Sequence, residues 1–387
     1  MKFSIIHLTG IWLVSFALLI TSCTRTEETT KFKILGTDPL DSFTLTEERS
    51  QTFLGWAKSG LKGAVLIHVD PHDSLETIPP AEIQQVRDML KDKHWDKIEK
   101  GRGTLIKNSN YLHAAVELGI VNKLYWIIPN KLFEDIPLAK EKIKDFLRSS
   151  PSKFKEDELE RMRMVEGCLT GMLAGTDIHI CSPRTLPRIY VPVIISMEVS
   201  FFPVYAQESG TSKLRALKQV MDYITFKQKL TVLHADISYG IESGYTAPIH
   251  RYIGDELKEI LGNPKILKEK SPPELWQFRD RAENMLSGGE DELVVEFLSE
   301  PLQKYPDDPS LRLLHAAANV RLEKYEDAFS ETDEICGLDK HYCYGFVYLG
   351  KTIKDEGWKK KFLERARALL PESNYVNVSV QQSGIIN

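Results

Sequence analysis

The chain has 387 residues, 42% of them hydrophobic and 27% charged, with a formal net charge of −5 at pH 7. The length suits two domains better than one. A mildly acidic balance leaves no electrostatic footprint for nucleic acid, which excludes that partner class.

The N-terminus carries a single charge, Lys2, before a run from Ile5 to Ile20 that is almost wholly apolar. The run is short for a membrane span, which takes roughly 20 apolar residues. It ends in Ile20-Thr21-Ser22-Cys23, small residues of the kind a signal peptidase admits. This resembles the lipobox of bacterial lipoproteins, which implies cleavage after residue 22 and diacylglycerol on Cys23. Acyl chains hold a protein to a membrane because each buried CH₂ contributes about 0.8 kcal/mol. Thr24 stands where an Asp would favour inner-membrane retention, so the expected address is the outer membrane, facing periplasm or surface. Residues 23–50 read as the lipidated end and its tether, and loss of residues 1–22 moves the charge from −5 to −6 because it removes only Lys2. The body keeps Cys168, Cys181, Cys336 and Cys343. An oxidising compartment permits disulfides among them, with three connectivities open.

Residues 51–265 alternate short β-branched runs with helix-period stretches. The runs begin at Ala64, Lys123, Val191 and Leu230, and the helical stretches are Ala81–Leu90, Tyr111–Leu118, Leu138–Leu147, Leu214–Phe226 and Gly254–Leu261. Near-continuous apolar strands between helices predict a parallel sheet covered on both faces, a three-layer α/β/α domain. Its chemistry is expected beyond the carboxyl ends of the strands. After Ser271-Pro272-Pro273 strands vanish, and residues 270–375 predict paired helices at mid-thirties spacing. Tyr305-Pro306, Lys324-Tyr325, Ala328, Leu349-Gly350 and Leu370-Pro371 resemble the tetratricopeptide pattern, which implies stacked helix hairpins that contact a protein partner or brace the neighbouring domain. His315 and His341 are read there as structural.

The run from Ala64 enters Asp70-Pro71-His72-Asp73-Ser74. Carboxylate and imidazole two residues apart in an extended segment point the same way and can share one divalent ion, Mn, Zn or Fe. The same residues are good turn formers, with Asp73 or Ser74 bonding back to the local backbone. Three segments resemble an arginase-like family related to ureohydrolases and histone-deacetylase-like hydrolases. They are Leu66-Ile67-His68-Val69-Asp70-Pro71-His72, the stretch Asn108–Ala115 with Leu124–Pro129, and Ile194–Phe202. Ser243-Gly244-Tyr245-Thr246-Ala247-Pro248 is similar to that family's Gly-Tyr-Thr-Pro turn. The resemblance implies an arginase-like sheet and a two-metal site of Asp-x-His-x-Asp and Asp-x-Asp. Here Ser74 and Ser200 replace two of those carboxylates, Asp73 is displaced by one, and Glu198 lengthens another. Asp70, His72 and Glu198 remain as expected ligands for a single metal, with a position open for water.

His72, Glu198 and His234 are the candidate catalytic residues; Asp236, His113 and His250 lie in or near the same domain, and Asp177 with His179 repeats the two-residue spacing. Two functions follow. One is a single-metal hydrolase of amide or amidine carbon–nitrogen bonds. The other is an inactive arginase-like binding module whose helical repeats dock an envelope protein.

Overall fold

A computed structural model describes residues 33–384, apart from Arg102. The expected signal peptide, Cys23 and residues 24–32 of the expected tether lie outside the described residues, while residues 33–50 of it supply two short strands and the start of a helix. Among the described residues no helix is long and apolar enough to cross a membrane.

The sheet has nine strands: β1 (Lys33–Ile34), β2 (Thr44–Thr46), β3 (Ala64–Val69), β4 (Val121–Ile127), β5 (Arg163–Val165), β6 (Cys168–Leu173), β7 (Thr176–Cys181), β8 (Val193–Glu198) and β9 (Thr231–Ser238). Their order is β1-β9-β8-β3-β4-β7-β6-β5, with β2 also paired to β9. The stretch β9-β8-β3-β4-β7 is parallel, as the apolar runs lead one to expect. β1, β5 and β6 add antiparallel edges. The β5–β6–β7 meander had only one sequence signal, the Asp177/His179 alternation, because half-exposed edge strands lack a continuous apolar run.

Alternate residues of the central strands enter two different cores. Ile67, Val69, Ile195, Met197 and Ile237 pack with helices Phe201–Ser209, Lys213–Asp222 and Tyr252–Gly262. Leu66, Leu124, Trp126, Ile180 and Ile194 pack with helices Ser50–Lys58, Pro80–Lys91, Tyr111–Glu117 and Ile136–Arg148. Both faces are therefore covered by helices.

The C-terminal region is all helical. Successive pairs open at Glu274, Pro309 and Gly345, the mid-thirties spacing expected. Helix starts follow local chemistry: the carboxylate of Asp308 accepts from the Leu311 amide with Pro309 at the first helical position, and Asp355 does the same for Trp358. These helices share one hydrophobic cluster with helices Phe201–Ser209, Lys213–Asp222 and Tyr252–Gly262 and the sheet face beneath them, so the two parts form one compact unit. All four body cysteines are paired. Cys168–Cys181 links β6 to β7, and Cys336–Cys343 closes a short loop after helix Tyr325–Leu338.

Candidate functional site

From β3 the chain moves through β4 to β7 on one side, then returns to place β8 and β9 on the other. The carboxyl ends of β3 and β8 are thus the switch point of the sheet, where a crevice opens in folds of this kind. The strand register sets two rungs of polar residues on the face under helix Ser50–Lys58. His68, Ser196 and Asp236 form one rung, and Glu198 with Ser238 forms the next, with Asp70 following β3 at that level. All six are fully buried.

Arg49 reaches this centre because β2 runs parallel to β9 and ends with Thr46 beside Ser238. The next residues therefore emerge over the strand ends. Arg49 is 1% exposed, and its Nη1 donates to Asp70 Oδ2 at 2.7 Å and to Ser74 Oγ at 3.2 Å. Its guanidinium lies 3.9 Å from the centre of the Tyr245 ring. On the other side, its Nε stands 3.9 Å from Glu198 Oε1, a Coulombic contact too long for a hydrogen bond.

Asp70 Oδ1 accepts from the His72 amide at 2.7 Å and lies 2.9 Å from His72 Nδ1. The ionised carboxylate can only accept, so Nδ1 carries the proton there. The 3.4 Å approach of Arg49 Nη2 to the same nitrogen is then a contact and not a second hydrogen bond. His68 Nε2 is 3.2 Å from Asp70 Oδ2, and Trp126 Nε1 donates to the Asp70 carbonyl at 2.7 Å. Burial alone would raise Asp70, but the Arg49 charge, with His68 and His72, holds it well below the usual carboxylate range.

Glu198 is the opposite case. Burial raises it well above the usual range; the Arg49 charge opposes this, while Asp70 adds to it. One guanidinium cannot fully offset the burial of two carboxylates, so the Arg49 charge favours the ionised form of Asp70 while burial favours the neutral form of Glu198. The Ser238 hydroxyl stands beside Glu198 and that of Ser196 beside Tyr111, but neither the Glu198 oxygens nor the hydroxyls of Ser196, Ser200, Ser238, Thr246 and Tyr111 make a well-formed hydrogen bond. The chain passes close by at Gly240, whose φ is +66° and where a Cβ would stand 3.4 Å from Glu198 Oε2.

A cavity of about 200 Å³ opens beside Arg49 and His72, walled by Tyr245, Phe146, and serines 74, 109, 149, 150 and 152. His72 keeps 44% of its side chain exposed, and its Nε2 has no hydrogen-bond partner among the described residues. Asp73 turns away: its carboxylate takes the Leu75 amide and the hydroxyls of Ser150 and Ser152, pinning the cavity wall. The turn chemistry read from the sequence is thus used by Asp73, while Asp70 and His72 make the paired contact.

The expected single-metal set does not fit this arrangement. Asp70 and His72 come together, but Glu198 lies across Arg49, and the guanidinium stands where an ion shared by the two carboxylates would have to be. Among the described residues, no three His, Cys, Asp or Glu side chains are arranged to hold a metal. His234 is not brought to the site. It pairs in register with Ile194, four residues before Ser238, roughly 13 Å back along the strand. There it bonds Asp236 at 3.0 Å and Thr44 at 3.1 Å, and Asp236 also accepts from Trp56. His113 accepts from the Ile78 amide, His250 meets Glu283 at 2.8 Å, and His179 stacks on Tyr125; each has a structural role.

Arg49 was not singled out from the sequence, and Tyr245 and Tyr111 entered there only within the Ser243–Pro248 and Asn108–Ala115 segments, without a role. Arg49 had one usable signal: it stands at the N-terminus of a helix, where the dipole disfavours a cation unless carboxylates hold it. Compared with known proteins, the chain matches no family model, no curated protein and no solved structure.

Proposed function

We propose that this chain is a lipid-anchored envelope protein whose arginase-like α/β body is a ligand-binding module, with Arg49 as a built-in cation in place of a catalytic metal. The observation that carries the reading is the Arg49–Asp70 pair, 2.7 Å apart and fully buried between the ends of β3 and β8. A guanidinium is a permanent charge that neither hydrolyses water nor lowers its pKa as a divalent ion does. It can hold the strand ends together and orient His72 toward the cavity. The C-terminal helix pairs, read as tetratricopeptide-like, offer the surface for an envelope protein partner. Export is supported by the pairing of Cys168 with Cys181 and Cys336 with Cys343, since such bonds persist in oxidising compartments.

A second reading is favoured by the Asp70–His72 contact: a hydrolase of amide or amidine bonds in which His72 serves as base. With a divalent ion, that reading requires Arg49 to leave Asp70.

The deciding experiment is elemental analysis of the full chain in detergent after incubation with Mn, Zn or Fe, beside an Asp70→Ala/His72→Ala variant. The binding-module reading expects the same substoichiometric metal in both. Near-stoichiometric metal that disappears in the variant overturns it in favour of the hydrolase. Labelled palmitate should enter the wild type and be absent from Cys23→Ala; equal labelling removes the anchor from the proposal.

A further inference from the structure

The parallel strands have a second end, opposite the Arg49 site. There the register sets Val193 of β8 beside Val232 of β9, and Val232 in turn beside Lys33 of β1. Three further segments gather at this end. The helical turn Tyr223–Lys227 leads into β9, residues 184–191 lead into β8, and Pro264–Lys268 follows helix Tyr252–Gly262. They touch one another. The Gln228 side chain donates to the Leu186 carbonyl at 2.7 Å, and Lys268 Nζ lies 4.7 Å from the centre of the Phe226 ring. The Tyr223 ring carries Lys227 at 3.8 Å and Arg184 at 6.0 Å.

The charge of these segments departs from that of the chain, which is −5 overall. Residues 184–191 hold Arg184 and Arg188, and residues 223–229 hold Lys227 and Lys229, with no acid in either. Residues 264–270 hold Lys265, Lys268 and Lys270 against a single acid, Glu269. All of these basic side chains are exposed, and among the described residues none is in an ion pair. The acids nearby are engaged elsewhere or outnumbered. Asp41 is 2.9 Å from Lys33, Asp38 accepts from the Ile34 amide, Glu259 faces Arg279, and Asp222 meets the charges of both Lys218 and Lys227. Bare apolar side chains accompany the cations: Tyr190 is 85% exposed and Val191 49%, just before β8, with Ile34 and Leu233 also exposed.

The chain joins the body at this same end. Lys33 comes ten residues after Cys23, a reach of at most about 35 Å. A compact chain of the body's length is roughly 50 Å across, so lipid on Cys23 favours contact at the end where Lys33 lies. The lengths of β8 and β9 put the Arg49 site roughly 20 Å further on.

We infer that the body rests this end on an anionic phospholipid surface, with Arg188 and the lysines against headgroup phosphates and Tyr190 among the headgroups, so that the cavity beside His72 opens away from the bilayer. Each cation near such a surface adds an attraction that salt screens, and tyrosine suits the boundary because its ring is apolar and its hydroxyl polar. The inference rests on the proposed lipid anchor and adds the orientation of the anchored body.

The test is lysine footprinting of the full chain on vesicles, by brief acetylation and mass spectrometry. One set of vesicles is phosphatidylcholine and the other is phosphatidylcholine with phosphatidylglycerol; flotation shows which of them hold the chain. On the anionic vesicles alone, acetylation of Lys227, Lys229, Lys265, Lys268 and Lys270 should slow by about threefold or more. Lys107, exposed and two residues from Ser109 of the cavity wall, should react at the same rate on both. High salt should abolish the protection, and so should Lys227→Glu with Lys229→Glu, two exposed positions, as read at Lys265, Lys268 and Lys270. Equal rates on the two vesicle types, or equal protection of Lys107, overturn the inference. The failures separate. Flotation with both vesicle types but no protected lysines leaves the anchor and removes the surface. Flotation with the anionic vesicles alone, with those lysines protected, leaves the surface and removes the anchor. No flotation with either removes both.

Discussion

Replacing Arg49 by Met removes a cation from a centre that is closed to water. Asp70 is 0% exposed and would keep the His72 amide at 2.7 Å, His72 Nδ1 at 2.9 Å and His68 Nε2 at 3.2 Å as its remaining polar contacts. Breaking a buried pair by deleting one partner costs about 3–5 kcal/mol, because the other charge is left uncompensated. The three contacts that survive place the expected loss toward the lower end, about 3 kcal/mol. Asp70→Asn, which strands the guanidinium instead, should cost a similar amount. The double variant should recover much of the loss, since neither charge remains, giving a coupling of about 2 kcal/mol or more. Urea unfolding of the four proteins measures this directly.

The pH dependence gives a second reading of the same perturbation. In the wild type the Asp70 pKa is lowered, so its contribution is present above the unfolded carboxylate range near 4 and is lost only as pH falls toward the lowered folded value. In Arg49→Met burial dominates and the sign reverses, so the variant should gain stability as the pH falls and Asp70 takes up a proton. The gap between wild type and variant should therefore narrow below about pH 5. A loss under about 1 kcal/mol, or single losses that simply add, would refute the view of Arg49 and Asp70 as a locked pair.

Three further outcomes are expected. The raised pKa of buried Glu198 means that its ionisation opposes folding as pH rises from about 4 upward, so Glu198→Gln should match the wild type at pH 4 and exceed it at pH 8; a flat difference in urea midpoint across that range would contradict the assignment. Cys168→Ser with Cys181→Ser opens a loop of 13 residues and should cost about 2–3 kcal/mol in oxidised protein, with no difference after reduction. Gly244→Ala adds a Cβ at φ +76° against the Tyr375 ring, and should destabilise by about 1–3 kcal/mol and expose helix Asn374–Gln382 to hydrogen exchange; unchanged protection there would show that the contact is not shared.

Local pattern alone made much of the architecture legible. Continuous apolar runs located β3, β4, β8 and β9 to within a few residues, because strands buried on both faces are mostly apolar, with polar side chains such as His68, Ser196, Glu198 and Asp236 admitted only where they meet one another. That Asp70 and His72 lie together was readable too, although they meet across a bend after β3, where the His72 amide bonds the Asp70 carboxylate, and not along the extended segment expected. What the sequence could not determine was the partner of that pair. Arg49 lies 21 residues before Asp70, and Glu198 belongs to a strand that joins β3 only after the chain has laid down β4 to β7. Which of three charged groups meet, and which carboxyl burial then favours in its neutral form, depends on strand order and depth of burial. Both are long-range outcomes of packing that leave no periodic signal in the sequence. The tertiary structure thus decided that the centre expected to hold a metal is filled by the chain's own guanidinium.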